Sequence, residues 1–228
     1  MGKIALFDLE RQYAIHGAFH SNPVNVVIHF LFVWPIFLNF LVLLHFTPFP
    51  FDSFQVEFYS VNLVFNFGFL FTLAHALFFI SFDKKAGSLA ALLCFSCWVL
   101  GSSIANYLGS SLAWKVALAA QIFCIIMVNI GHIAFEWQKQ PSDALESLPL
   151  AVLMSPIAEL LEKRVQKQAP ALSDSLNLTI LVEPFLVLLE ALQMFCGYEP
   201  YPGFHARVRA KMEAETKGWQ DKDHKKVS

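Results

Sequence analysis

The sequence predicts an all-α integral membrane protein: about four transmembrane helices in two hairpins, followed by C-terminal interfacial or re-entrant helices. Three observations carry this. Hydrophobic residues make up 56% of the 228 and charged residues only 15%, against about 25% charged in a typical soluble domain. Mean hydropathy is +0.52. The apolar residues also lie in long runs rather than evenly along the chain, which is the pattern a bilayer imposes.

The elements follow in order. Residues 6–20 are polar and amphipathic, with Asp8, Glu10 and Arg11 among Leu6, Phe7, Leu9 and Tyr13, and read as a short interfacial helix. Ser21-Asn22-Pro23 marks a helix start, because Asn caps free amides and Pro fits the first turn. Val24 to Phe46 is almost uncharged and long enough to cross a bilayer. Residues 47–55 form a turn punctuated by proline. A second span is expected from about Phe58 to Phe82, and a tight polar turn over Asp83-Lys84-Lys85-Ala86-Gly87. A third span covers about Ser88–Leu108. Gly109-Ser110-Ser111 turns the chain into a fourth, about Leu112–Phe135.

The remainder differs in character. Residues 136–147 are polar. Residues 148–161 are apolar but too short to cross, and Pro156 interrupts them. Residues 176–197 are apolar again, with Glu183-Pro184 as the interruption. Both read as interfacial or re-entrant helices. Pro156 and Glu162 align with Pro184 and Glu190 in a weak internal repeat. The expected organisation is a four-span core with its N-terminal helix at 1–137, interfacial or re-entrant helices at 138–197, and a polar cytosolic tail at 198–228.

Basic residues set the orientation. With a cytosolic N-terminus, Lys3, Arg11, Lys84, Lys85 and the basic tail share one side, and the other side's loops hold only Lys115. Both termini are then cytosolic. The last residues, Lys225-Lys226-Val227-Ser228, resemble the dilysine retrieval signal of endoplasmic-reticulum membrane proteins. No cleavable signal is expected, and Leu6 stands where N-myristoylation wants Ser or Thr. A net charge of −2 gives no basis for nucleic-acid binding. Cys94, Cys97 and Cys124 lie in apolar runs, without the electropositive setting that makes thiols reactive, and are expected to pack.

Eight histidines are the chemistry-bearing residues. Topology puts His20, His29 and His132 at one membrane depth. His45 falls at the opposite end of the first span. The break at Asn22-Pro23 lets His20 fold back over the helix that carries His29. Asn25 and His29 are four apart, as are His132 and Glu136, so each pair shares a helix face. Glu136 is placed to ligate or to orient a ligand. His75 and His16 are possible additional ligands or substrate contacts, while the tail histidines, His205 and His224, are expected to be solvated. Ionisable residues inside a membrane are costly and point to function. Histidines beside a carboxylate with open positions suit non-haem Fe(II), and zinc remains open by residue type.

The motifs from His20 to Phe30, Phe32-Val33-Trp34-Pro35, and Gly131-His132 to Glu136 with Pro141 resemble the membrane 2-hydroxy-fatty-acid dioxygenase family of fungi and plants, whose yeast member acts in phytosphingosine degradation. The segments from Asp83 to Phe95 and from Gly197 to His205 resemble plant-type members. The resemblance covers most of the chain. It implies an endoplasmic-reticulum enzyme that uses Fe(2+) and O2 to remove one carbon from a 2-hydroxy fatty acid. His20, His29 and His132 would be its iron ligands, with Glu136, Asn22 and Asn25 as supporting residues. The chain departs from the family pattern after Glu136. The family text resumes only at Glu162-Lys163-Arg164 and Ala169-Pro170-Ala171-Leu172, so this region reads as doubled, and which copy fills the family's helix position stays open.

Two rival classes remain. A non-enzymatic hairpin protein that shapes or scaffolds the reticulum fits the paired helices but gives no reason for histidines at one depth. A di-iron desaturase or hydroxylase needs dense histidine boxes, which the sequence does not contain.

Overall fold

In the computed structural model, the described residues are 7–20, 22–47, 55–58, 61–135 and 181–214. They are mostly helical. The elements are α1 (Leu9–Phe19), α2 (Pro23–His45), a two-stranded antiparallel hairpin of β1 (Gln55–Phe58) and β2 (Val61–Val64), α3 (Phe67–Phe82), α4 (Lys84–Leu108), α5 (Ser110–Phe135) and α6 (Glu183–Cys196). A further helix, α7, spans 204–214. Three helices are long and apolar enough to cross a membrane: Pro23–His45, Lys84–Leu108 and Ser110–His132.

The expected second span is only partly helical. Backbone pairing of Val56 with Leu63 and of Glu57 with Asn62 builds the β-hairpin, and the helix begins at Phe67. Asn66 is the reason for that start: its side chain accepts hydrogen bonds from the Gly68 and Phe69 amides at 3.0 and 3.3 Å. The resulting α3 has 16 residues, about 24 Å at 1.5 Å per residue, short of a hydrocarbon core of about 30 Å. The turns are also shorter than expected. Asp83 alone separates α3 from α4, and its carboxylate caps the Ala86 amide at 2.6 Å. Lys84 to Gly87 are already helical. Gly109 alone separates α4 from α5, at φ 70°.

The chain divides into two compact units. Unit 2, Leu31–Ile125, holds most of α2, the β-hairpin, α3, α4 and most of α5. Its helices approach through small residues. Ala86, Gly87, Ala90, Ala91, Cys94, Gly101, Ser102 and Ala105 are all buried on α4, at the three- and four-residue spacing of one helix face. Small faces of this kind allow close packing where no hydrophobic drive separates helix from lipid. Ala105, Ala113 and Ala117 close around Val42. Cys94 and Cys124 are buried and all four cysteines are free thiols. Exposed side chains such as Leu31, Leu77, Leu92 and Phe123 suit contact with acyl chains.

Unit 1, Met1–Phe30 with Ile126–Ser228, contains α1, the first turns of α2, the last turns of α5, α6 and α7. Asp8 caps α1 by accepting from the Arg11 amide at 3.2 Å. The helix buries Leu9, Gln12, Tyr13 and His16, a spacing of three, four and seven that defines one face. That face receives α6, where the Tyr13 hydroxyl donates to Gln193 at 2.6 Å. In α6, Glu183-Pro184 opens the helix rather than interrupting one. Pro184 occupies the first turn, where its missing N–H is no loss. Gly197, at φ 62°, closes the other end.

The polar tail is not simply solvated. Phe204 is fully buried, and its ring lies 5.6 Å from that of Tyr13. Arg207 reaches Glu10 at 2.7 Å, and Lys211 reaches Glu10 at 2.9 Å and Asp8 at 3.2 Å. The hydrogen bond from Lys211, with those from Tyr201 and Arg207, outweighs partial burial and holds the Glu10 carboxyl down at about 2. His205, expected in solvent, is half-buried, and its ring approaches the Tyr198 carbonyl at 3.2 Å. His224 lies outside the described residues.

Candidate metal centre

Unit 1 assembles the histidines. His20 follows α1, His29 lies two turns into α2, and His132 lies in the last turn of α5. The break at Asn22-Pro23 folds His20 back toward His29. Asn22 accepts from the Val24 amide at 2.9 Å and so starts α2. The ring centroids are 4.1 Å apart for His20 and His29, 4.8 Å for His29 and His132, and 5.0 Å for His20 and His132. All three residues are buried. One nitrogen from each lies within 4.8 Å of the others.

Hydrogen bonding fixes which nitrogen is available. His20 Nδ1 lies 2.8 Å from the His16 carbonyl, and His29 Nδ1 lies 2.9 Å from the Asn25 carbonyl. A carbonyl only accepts, so each Nδ1 carries the proton and each Nε2 keeps its lone pair. Metal-bound histidines are commonly oriented this way, with the far nitrogen donating to a backbone carbonyl. His20 Nε2 is buried with no hydrogen-bond partner. The donor set therefore fits a metal ion that accepts imidazole nitrogen.

His16 is placed differently. Its Nδ1 lies 3.2 Å from Glu183 Oε1, and its Nε2 lies 3.0 Å from Glu190 Oε2. Both ring nitrogens face carboxylates, so the ring is an imidazolium. Burial opposes that charge, but the two carboxylates prevail and push His16 up to about 10. Burial, reinforced by the neighbouring His16, His29 and His132, instead holds His20 well below its ordinary value and keeps it neutral. Burial would raise the Glu183 carboxyl, yet His16 and the histidine cluster bring it below its usual range.

Close helix approach makes this possible. A Cβ on Gly131 would collide with the Asn25 side-chain oxygen and meet Ile28 at 3.3 Å. Gly131 therefore sets the depth at which His132 faces α2. Gly131→Ala is expected to weaken metal binding by about 10- to 100-fold, the range typical of disturbed outer-shell partners, with helix content unchanged. Metal titration beside circular dichroism checks this.

Comparison with known families now applies. The family described as 2-hydroxy-palmitic acid dioxygenase Mpo1-like matches residues 6–168. The chain belongs to this family. The match spans all three clustered histidines. No curated protein and no solved structure matches the chain.

Membership in the Mpo1-like family leaves the placement of other residues to the structure. Asn25 is fully buried and Asn22 caps α2. Glu136 lies outside the described residues, as does the first copy of the repeat. His75 belongs to unit 2, where its ring sits among Phe37, Phe71 and Phe79, and it is not among the grouped donors of the described residues. His45 ends α2, and its carbonyl accepts from Asn66 at 3.1 Å. Sequence reasoning missed Glu183 and Glu190 as partners of His16. The available signal was two carboxylates seven residues apart within an apolar stretch. Seven residues is nearly two full turns, which puts both on one helix face.

Proposed function

We propose that this protein is an Fe(II)-dependent dioxygenase that shortens 2-hydroxy fatty acids by one carbon, as in fatty-acid α-oxidation and phytosphingosine breakdown. The observation that carries the reading is the convergence of three buried imidazoles, within a chain of the 2-hydroxy-palmitic acid dioxygenase Mpo1-like family. Neutral imidazoles with coordination positions to spare suit ferrous oxygen chemistry. The ion, when bound, supplies O2 binding and polarises the substrate's carboxylate and hydroxyl. The chain's own contribution is positional. The His16 and Asn25 carbonyls orient His20 and His29, Gly131 admits His132, and burial excludes bulk water. One O2 per substrate balances the reaction if the lost carbon leaves as carbon dioxide, with water.

Three apolar helices support a membrane protein, and the basic residues gathered on one side of the expected spans support cytosolic termini. A scaffold without enzymatic activity assigns no role to buried, mutually facing imidazoles, which cost free energy unless something occupies them. The test is detergent-purified protein loaded anaerobically with Fe(II), then given 2-hydroxypalmitate and oxygen. Stoichiometric iron and a fatty acid one carbon shorter are expected. Stoichiometric zinc with no turnover under any iron loading overturns the reading.

A further inference from the structure

Glu183 lies beyond the matched family region, yet it stands at the edge of the histidine cluster. Its Oε1 atom is 3.8 Å from His20 Nε2. Both atoms are buried and make no hydrogen bond of good geometry, although Glu183 Oε1 also lies 3.2 Å from His16 Nδ1. Because His20 Nδ1 holds that ring's proton, the two atoms present lone pairs to each other. In a dry interior a cation lying between them would relieve that repulsion. Protein nitrogens and carboxylate oxygens bind a divalent ion at about 2.0–2.2 Å. Two donors 3.8 Å apart therefore fit as neighbours on one ion with a wide ligand angle.

Two further facts favour one ion over two. His20 belongs to both sets of converging donors, the one with His29 and His132 and the one with His16 and Glu183. His16 itself has no donor to give, because each of its nitrogens already meets a carboxylate. An ion at His20 Nε2 would thus draw donors from both sets, which share His20.

We propose that Glu183 is a carboxylate ligand to the metal held by His20, His29 and His132, with His16 the positioning residue that holds it there. This rests on the metal-centre reading above and adds a fourth protein donor to it. Glu183 also sits in the first turn of α6, where the helix dipole favours its negative form before metal arrives.

The experiment uses Co(II) as the probe on full-length protein in detergent, with Kd from chelator competition and coordination from the visible spectrum. Wild type is expected to bind one ion. Glu183→Gln is expected to bind at least tenfold more weakly and to change the d–d envelope. An unchanged envelope in Glu183→Gln overturns the proposal, whether or not affinity falls, because a mere orienting role leaves the ligand set intact. Absence of Co(II) binding by wild type overturns the metal centre itself, a separate result. If Glu183→Gln fails to fold, the infrared difference between metal-bound and metal-free wild type decides. A shifted carboxylate stretch is expected, and its absence overturns the proposal.

Discussion

His132→Ala, and separately His29→Ala, is expected to abolish metal binding and product formation together. Each removes one of three imidazoles that share a buried centre. Loss of a direct ligand exceeds the 10- to 100-fold cost of losing an outer-shell partner, so affinity should fall more than about 100-fold. The vacated space also leaves two lone-pair nitrogens facing a cavity. Metal analysis of purified variants, with conversion of 2-hydroxypalmitate alongside, checks both halves. His45→Ala is the control. His45 is the last residue of α2, its ring against that of Phe46, and its replacement should leave the metal content at the wild-type value. Retained stoichiometric iron in His132→Ala would falsify the centre.

The second large effect is structural. Gly87→Ala is expected to destabilise the α3–α4 hairpin by about 3 kcal/mol, the upper end of overpacking costs. A Cβ at Gly87 would run into the Phe79 carbonyl group and the Ile80 Cα. Those are backbone atoms of α3 and cannot rotate away. Asp83 as the sole connecting residue leaves no slack to absorb the shift. The gain in helix propensity, about 1 kcal/mol, offsets only part of the cost. Gly101→Ala on the same helix should be neutral or mildly stabilising. Its Cβ would meet side chains of Leu38, Leu41 and Val42 at an ordinary 3.6 Å. Thermal unfolding in detergent checks the pair, with a drop on the order of 10 °C for Gly87→Ala and none for Gly101→Ala. Equal midpoints would show that α3 and α4 do not pack as described.

Much of this was legible in advance, for identifiable reasons. Long uncharged runs announce α2, α4 and α5, because no other environment tolerates them. Asn22-Pro23 announces the chain reversal that brings His20 back toward His29. The β-hairpin was hidden inside an apolar stretch, although Gln55-Val56-Glu57-Phe58 alternates with the period of a strand and Asn66 is a plain helix cap. Glu183-Pro184 was read as a break because Pro disfavours a helix interior and a carboxylate interrupts an apolar run. The same pair is ordinary at a helix start, and only tertiary packing shows that α6 begins there. The contacts of His16 with Glu183 and Glu190 span 167 and 174 residues. No local pattern encodes a pairing across such a distance.

That long separation has a consequence for how the protein is made. α1 carries His16 and leads to His20, and the helices that cover it, α6 and α7, are synthesised long after it. Until residue 214 has left the ribosome, the N-terminal imidazoles have no lid. Their burial is a final step of folding, completed when Tyr13 meets Gln193 and Glu10 meets Arg207. An ion at the proposed centre would therefore have open access before α6 docks and little afterwards. On the metal reading proposed above, the ion is taken up while the chain folds, and the folded protein should exchange it slowly.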